Sequence, residues 1–388
     1  MSYIGSKPAN KPLTSSDITD GIISTAKIAD SSVTAEKIIA DTNFRNIIIN
    51  GDMSISQRAT STASITGNGY HTVDRMFLGL TSAGTWTQSQ DTDVPSAQGF
   101  ATSLKMDNTT ADGSLAAGDN CILQQKVEGQ NLQYLKKGTA SAESTTVSFW
   151  VKATKTGTNI CELYDADNTR QISTAYTISV ANTWEKKTIT FAGDTSGAFG
   201  NDNGVSLTLL FWLAAGSNYT SGTLSTTWTS VTTANRAVGQ VNHADNVANN
   251  FWITGVQFEA GTVASDFEFL PVDVNLERCQ RYYLQWVNDD QQTIASGAYY
   301  SSSDVRMIVS FPTAMRNGPS LISSDVSDCF RVQRDSADDT FNVLKDGGPK
   351  NIYSMLVFGN TNLSGTAGQG GWIGTNNSSA SLAFNSEL

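Results

Sequence analysis

Near the start of the chain apolar side chains recur at intervals of five, at Leu13, Ile18, Ile23, Ile28, Val33 and Ile38. Thr, Ser, Asp, Lys and small residues fill the intervals. Longer copies also align, with Leu13-Thr14, Ile23-Ser24 and Val33-Thr34 opening each unit. A spacing of five fits neither the ~3.6-residue helix nor the two-residue strand. One apolar residue per pentad is too thin a stripe to offset the entropy of ordering its own backbone. Several copies meeting on a common axis would fill one narrow core, as in fibrous shafts built from short repeats. Residues 1–42 are therefore expected to form a leader and an extended stem that holds a homotrimer. A disordered, weakly amphipathic arm is the alternative.

The pattern changes at Asn43. Ile47, Ile48 and Ile49 predict a short buried strand, Asn50-Gly51-Asp52 a turn, and Met53 and Ile55 resume alternation. Further on, Val147, Phe149 and Val151 alternate with Ser148, Trp150 and Lys152, and Val205 to Leu213 alternate in the same way. Trp184 to Phe191 and Phe251 to Phe258 read as two more strands. Short strands separated by Gly- and Asn-rich turns, without helical periodicity, predict an antiparallel jelly-roll sandwich over residues 43–272. Within it the Ser- and Thr-rich stretch 216–236 is long enough to be a functional or mobile loop. Leu276, Cys279, Gln280 and Tyr283 share one face of a helical turn in Asn275 to Trp286. Strands are then expected at Val305 to Phe311, Phe341 to Leu344 and Ile352 to Phe358, and residues 365–381 as a glycine-rich loop around Trp372. The fold class expected is all-β: the stem, the jelly-roll sandwich and a second, smaller β domain over 273–388.

Composition supports that class. Charged residues are only 16% of the chain, and Ser, Thr, Asn and Gly supply most of the polarity. The formal charge of -11 argues against a nucleic-acid partner. Lys136-Lys137 and Lys186-Lys187 read as solvated strand ends. No apolar run approaches the ~20 residues that span a bilayer, so no membrane insertion is expected. The first twelve residues lack the pattern of a secretory signal, which predicts a soluble protein made in a cytoplasm. Cys121, Cys161, Cys279 and Cys329 have no short spacing and read as free thiols in β cores.

The order of several motifs adds a resemblance. The SYIG start at Ser2, the TAKIAD and TAEKI repeats, and NIIINGDMSISQR at 46–58 are followed by VDRM at 73–76 and VEGQNLQYL at 127–135. GTASAESTTVSFWVKAT, NTWEKKTITFAGDTSG, the long run from Phe251 to Tyr283 and FPTAMRNGPS at 311–320 complete the series. Together these resemble phage tail-fibre proteins of marine and cyanobacterial phages, and the middle domain resembles a carbohydrate-binding jelly roll. The resemblance spans residues 2–320. It implies a trimeric virion fibre, assembled in the host cytoplasm, joined to other virion proteins by its N-terminus and binding a host-cell surface glycan with its distal domains.

Candidate chemistry is sparse. His71 and His243 are the only histidines and lie far apart. No HExxH, CxxC, GxSxG or phosphate-binding glycine motif occurs. Asp74-Arg75 reads as an ion pair, and Asp165, Asp167 and Asn168 as an ordinary turn rather than a calcium loop. No metal, cofactor or catalytic residue is therefore expected. Glycan contact is the better candidate, because flat aromatic rings stack on sugar faces. Trp150 and Trp212 point to the polar faces of their strands, and Trp228, Tyr299, Tyr300 and Trp372 sit in polar surroundings. Burial of those faces by a second sheet, a loop or another protomer is the competing expectation. The function expected is a non-enzymatic tail fibre for host attachment. The alternatives are a head or collar fibre or decoration protein, a depolymerising tailspike, or a free-standing lectin.

Overall fold

Alternation of apolar and polar side chains, broken by Gly and Asn turns, makes strands of nearly half of the chain beyond Ser61. The computed structural model describes residues 44–335 and 337–388, so the pentad stem from Leu13 to Ile38 lies outside the described residues. Residues 46–388 cluster as one unit. Its first strands are β1 (Ser61–Ile65), β2 (Gly69–Tyr70), β3 (Phe77–Thr81), β4 (Thr85–Asp91), β5 (Ser103–Thr110), β6 (Asn120–Glu128) and β7 (Thr145–Ala153). There follow β8 (Gly157–Asp165), β9 (Arg170–Ile178), β10 (Glu185–Phe191), β11 (Val205–Ala215), β12 (Thr229–Ser230) and β13 (Asn250–Ala260). They form two antiparallel sheets, one ordered β1-β4-β5-β13-β7-β10 and the other β12-β9-β8-β11-β6-β3-β2. Val147, Phe149 and Val151 face Leu207, Leu209 and Phe211 across the jelly-roll core, with the Phe149 and Phe211 rings 4.9 Å apart edge to face.

The outer faces of the two sheets differ. A stretch running from α1 (Ser217–Thr220) to Ala237 lies over the seven-stranded sheet. Tyr219, Leu224 and Ala237 from this cover pack on Ile122, Ile160, Leu210 and Trp212. Trp212 Nε1 donates to Glu162 (2.8 Å), whose other oxygen accepts from Arg236 Nε of the cover (2.8 Å). The Ser- and Thr-rich stretch is therefore a packed lid over one sheet, not a free loop. The six-stranded sheet is covered only in part, by residues 261–269, to which the outward Thr146 and Gln257 side chains bond.

After α2 (Val272–Gln280) come β14 (Tyr283–Val287), β15 (Thr293–Ser301), β16 (Asp304–Ser310), β17 (Ser320–Ser323), β18 (Phe330–Arg334) and β19 (Ala337–Phe341). The last strands are β20 (Lys345–Lys350), β21 (Ser354–Gly359), β22 (Gly370–Thr375) and β23 (Leu382–Asn385). They make a three-stranded sheet, β14-β23-β17, and a seven-stranded one, β19-β18-β22-β15-β16-β21-β20, around a second core that includes Phe330, Phe341, Val357 and Phe384.

Several local expectations are corrected. Ile48 and Ile49 are buried, but residues 48–50 are bends and 47–49 form no strand; the Asn46 and Gln125 side chains accept from the Ile48 and Ile49 backbone. The helix begins at Val272 and stops before Tyr283, which starts a strand instead. Asn342 to Leu344 connect two strands, and Trp372 lies on a strand flanked by two others, not in a loop. Asp74 and Arg75 do not pair with each other. Arg75, 1% exposed, pairs with Glu387, and Asp74 accepts from the Gln57 amide (2.9 Å). All four cysteines are free and buried.

Two buried groups set opposing pH dependences. Burial, aided by Lys155, pushes the His243 imidazole down to about 4, below its usual 6.5. Burial pushes the Asp74 carboxyl up to about 6, against its hydrogen bonds from Gln57. As pH falls from 6.5 towards 4 the unfolded chain takes up the His243 proton first, so stability is lost. Over the overlapping range below 6 the folded chain takes up the Asp74 proton first, so stability is gained. The two nearly cancel in the native protein. His243→Gln should therefore gain stability relative to the parent on acidification, by at most about 1.4 kcal/mol per pH unit. Asp74→Asn should show the opposite sign. Chemical denaturation at a series of pH values measures both slopes, and parallel curves for all three proteins would contradict the assignment.

Candidate functional site

The outer face of the six-stranded sheet is built by strand alternation. On β7 the residues that put Val147, Phe149 and Val151 into the core send Ser148, Trp150 and Lys152 outward. Register then fixes their neighbours. Trp150 stands opposite Lys186 of β10 and Thr254 of β13, and Lys152 opposite Trp252, which is itself opposite Lys105 of β5. The Lys152 ammonium lies 4.2 Å and that of Lys105 5.4 Å from the Trp252 ring centre. Trp252 Nε1 donates to Asp91 (3.1 Å) and Trp184 Nε1 to Asp93 (2.9 Å), which also pairs with Lys152. Slight burial pushes the Asp93 carboxyl up, but the bonds from Lys152 and Trp184 outweigh it and hold it below its ordinary range.

A bulge in β13 between Thr254 and Gln257 breaks this row and opens a recess beside it. Gly255 adopts φ +61° there, and a Cβ on it would lie 2.5 Å from the Phe100 ring. Only glycine allows that turn and that contact together. Phe100, Phe267 and Phe269 form a three-ring cluster with centroids 4.8–5.1 Å apart. These rings, Trp150, Lys186 and Asp266 border a cavity of about 340 Å³. A half-exposed indole, an apolar wall and a few hydrogen-bonding groups can take a ligand that has both flat apolar faces and hydroxyl edges.

Of the residues expected to touch glycan, this recess includes Trp150. Trp212 is withdrawn, because it is 0% exposed beneath the lid. Tyr299 is withdrawn as well: its ring is 2% exposed in the second core and its hydroxyl bonds to Asp339. Trp228 is half-buried, donating to Ala192 O (2.7 Å) with its ring 5.3 Å from the Lys137 ammonium. Tyr300 and Trp372 are on the second assembly, apart from the recess. Phe100, Trp184, Trp252, Phe267 and Phe269 escaped the sequence reading. Phe267 and Phe269 do alternate with Asp266 and Glu268, a signal that they leave the sandwich core.

The calcium alternative for Asp165 is displaced by a side chain. Lys137 Nζ donates to Asp165 (2.6 Å), Ser196 O (2.9 Å) and Gly197 O (2.7 Å) and lies 3.0 Å from Asp194. Far from being a solvated strand end, Lys137 is 7% exposed. Among the described residues no cluster of three or more His, Cys, Asp or Glu could hold a metal ion. Nor is any helix among them long and apolar enough to cross a membrane.

The fold thus defines an antiparallel jelly-roll sandwich followed by a smaller β assembly. No known protein-family model matches the chain, and no curated protein does. Among solved structures it is similar to the enzymatically active domain of tailspike protein 4 of bacteriophage CBA120 (TM-score 0.30, 14% identity), over 56% of this chain and 22% of that one. It is also similar to TmCBM61 in complex with β-1,4-galactotriose (TM-score 0.29, 9% identity, 56% and 99% of the two chains). The family 11 carbohydrate-binding module of Clostridium thermocellum, in complex with a mixed-linked tetrasaccharide, matches with TM-score 0.28 and 8% identity over 53% and 98%.

Proposed function

We propose that this protein is a non-enzymatic adhesin of a phage particle, a tail fibre that holds a host-cell surface glycan in the recess beside Trp150. The observation that carries the binding reading is the recess itself: an aromatic-lined cavity of about 340 Å³ on the outer face of the six-stranded sheet, beside the segment 261–269 that covers the rest of β13. Supporting a binding role over hydrolysis, Asp266 is the one carboxylate among its lining residues. Glycoside cleavage ordinarily requires two carboxylates flanking the bond. The ordered motifs from Ser2 to Ser320 support the fibre role, and the pentad residues Leu13 to Ile38 would join three chains and mount them on other virion proteins. A head or collar fibre would use the same site; localising the chain on particles separates the two.

Trp150→Ala tests the binding reading. Loss of one stacking platform should weaken binding to purified host-surface polysaccharide by about 1–2 kcal/mol, roughly 5- to 30-fold, with the fold intact by circular dichroism. Unchanged binding would remove the recess as the site. Release of reducing sugar in the same mixture would instead support the tailspike alternative. A sedimentation mass equal to one chain would remove the trimer.

A further inference from the structure

We propose a second saccharide-binding site, on the outer face of the seven-stranded sheet β19-β18-β22-β15-β16-β21-β20, independent of the recess on the sandwich. Past a bulge between Thr293 and Ala295, alternation along β15 turns Ala295, Gly297 and the buried Tyr299 inward and Ser296, Ala298 and Tyr300 outward. Ser296 stands beside Trp372 of β22, and Ala298 beside Gly370, all four on the same face. Trp372 and Tyr300 therefore mark the two ends of a strip floored by small, exposed residues. Tyr300 lies four residues along β15 from the neighbour of Trp372, about 13 Å at ~3.3 Å per residue.

Both rings are held rather than free. A Cβ on Gly374 would lie 2.1 Å from the Trp372 ring, so the indole lies down on the strand only because that residue is glycine. Trp372 Nε1 donates to Gln333 Oε1, which fixes the ring from the next strand and leaves the Gln333 Nε2 to donate outward. Tyr300, 66% exposed, has the Arg306 guanidinium 3.6 Å from its ring centre. Pre-positioned rings lose little conformational entropy on binding. Between them Ser296, Ala298 and Gly370 leave a shallow trough one side chain deep, with hydroxyl, amide and guanidinium donors along it. That combination suits the alternating apolar faces and hydroxyl edges of a short oligosaccharide. The centre of this strip is Ser, Ala and Gly, whereas Ile308 of β16, 65% exposed beside Ser296, and Leu356 of β21 flank it, so a second copy of the chain is the competing occupant that the test below separates. Two sites on one chain would raise the effective concentration of a polymeric glycan at each.

Fluorotryptophan-labelled full-length protein tests this by 19F resonance, with Trp372→Phe assigning the signal. The probes are neutral tetrasaccharides of β-1,4-linked glucose, galactose and xylose, and a uronic-acid tetrasaccharide. The Trp372 signal is expected to shift with at least one probe at millimolar concentration, in the parent and equally in Trp150→Ala, and Tyr300→Ala should weaken that response severalfold. Should Trp150→Ala fail to fold, Lys186→Ala serves as the background. A Trp372 signal silent to every probe, or one whose response disappears with the sandwich recess, would overturn the second site. A shift on concentrating the protein without sugar would overturn it too, since the face would then meet a second copy. If the Trp150 signal alone fails to respond, the recess fails and this site stands.

Discussion

Lys137→Ala should be among the most destabilising single changes in the sandwich, lowering unfolding free energy by about 3–5 kcal/mol. The lysine side chain is 4% exposed and its carboxylate partners Asp165 and Asp194 are 0% and 3% exposed. Four oxygens surround one ammonium, and no carboxylate in that cage can turn to bulk water. Removing the cation leaves Asp165 without its charge partner, although Asn168 still donates to it (3.0 Å). Asp194 keeps Arg170, with Nε 2.6 Å away, so the Asp165 side carries most of the loss. Lys137 also closes the 194–197 turn through two backbone carbonyls and packs on Phe199 and Trp228, with ring centres 5.1 and 5.3 Å from Nζ. Lys137→Met combined with Asp165→Asn should recover part of the stability, because the pair would be removed together rather than broken. Urea denaturation of the three proteins provides the comparison. A loss below about 1 kcal/mol for Lys137→Ala would mean that water reaches the cage and screens it.

Lys137 also marks where sequence reading ends. The alternation of Val147, Phe149 and Val151, and of the run from Val205, specified strands, their buried faces and hence the sandwich. The same period correctly sent Trp150 outward. It also sent Trp212 outward, and there the period was right but the consequence was not: the polar face of β11 is covered by residues 216–237, which arrive later in the chain. Nothing local to Trp212 encodes that lid. Lys137 next to Lys136 looks solvated for a similar reason, since its partners are 28 and 57 residues further along. Low apolar content hid the second assembly most. Gly371 and Gly374 read as loop, yet each is a place where a neighbour lies close to the strand. For Gly374 the neighbour is the Trp372 ring and for Gly371 the Gln333 carbonyl. The recess was illegible for another reason. It depends on a bulge at Gly255 and on rings from residues 100, 267 and 269, which only strand pairing brings together.

Glu387→Ala should separate the unfolding of the two β assemblies. Arg75, in the bend before β3, is 1% exposed and is held from three sides. Its guanidinium pairs with Glu387 after β23, donates to Lys126 O (2.8 Å), and lies 3.5 Å from the Tyr282 ring centre beyond α2. A parallel contact joins Glu128 at the end of β6 to Arg281, with a 2.7 Å bond, and to the Tyr282 hydroxyl. Arg58 reaches Glu387 as well (3.2 Å) and stacks 3.6 Å from the Tyr283 ring centre. Sandwich and second assembly are thus joined through buried charges, each of which finds its counter-charge on the other side. Such a junction is costly to break from either side, because the partner left behind keeps its desolvation penalty. Removing the Glu387 carboxylate strands Arg75, and about 3 kcal/mol or more of coupling should be lost. Scanning calorimetry should then show two transitions where the parent shows one. Glu387→Gln, which keeps the hydrogen-bonding shape without the charge, should lie between them. The same contacts make a deletion of 273–388 a poor test of where glycan binds: it would remove Arg281, Tyr282 and Glu387 at once and leave Glu128 and Arg75 unpaired in the sandwich. One transition in Glu387→Ala, at the parental temperature, would show that the Glu128–Arg281 contact suffices to hold the two assemblies together.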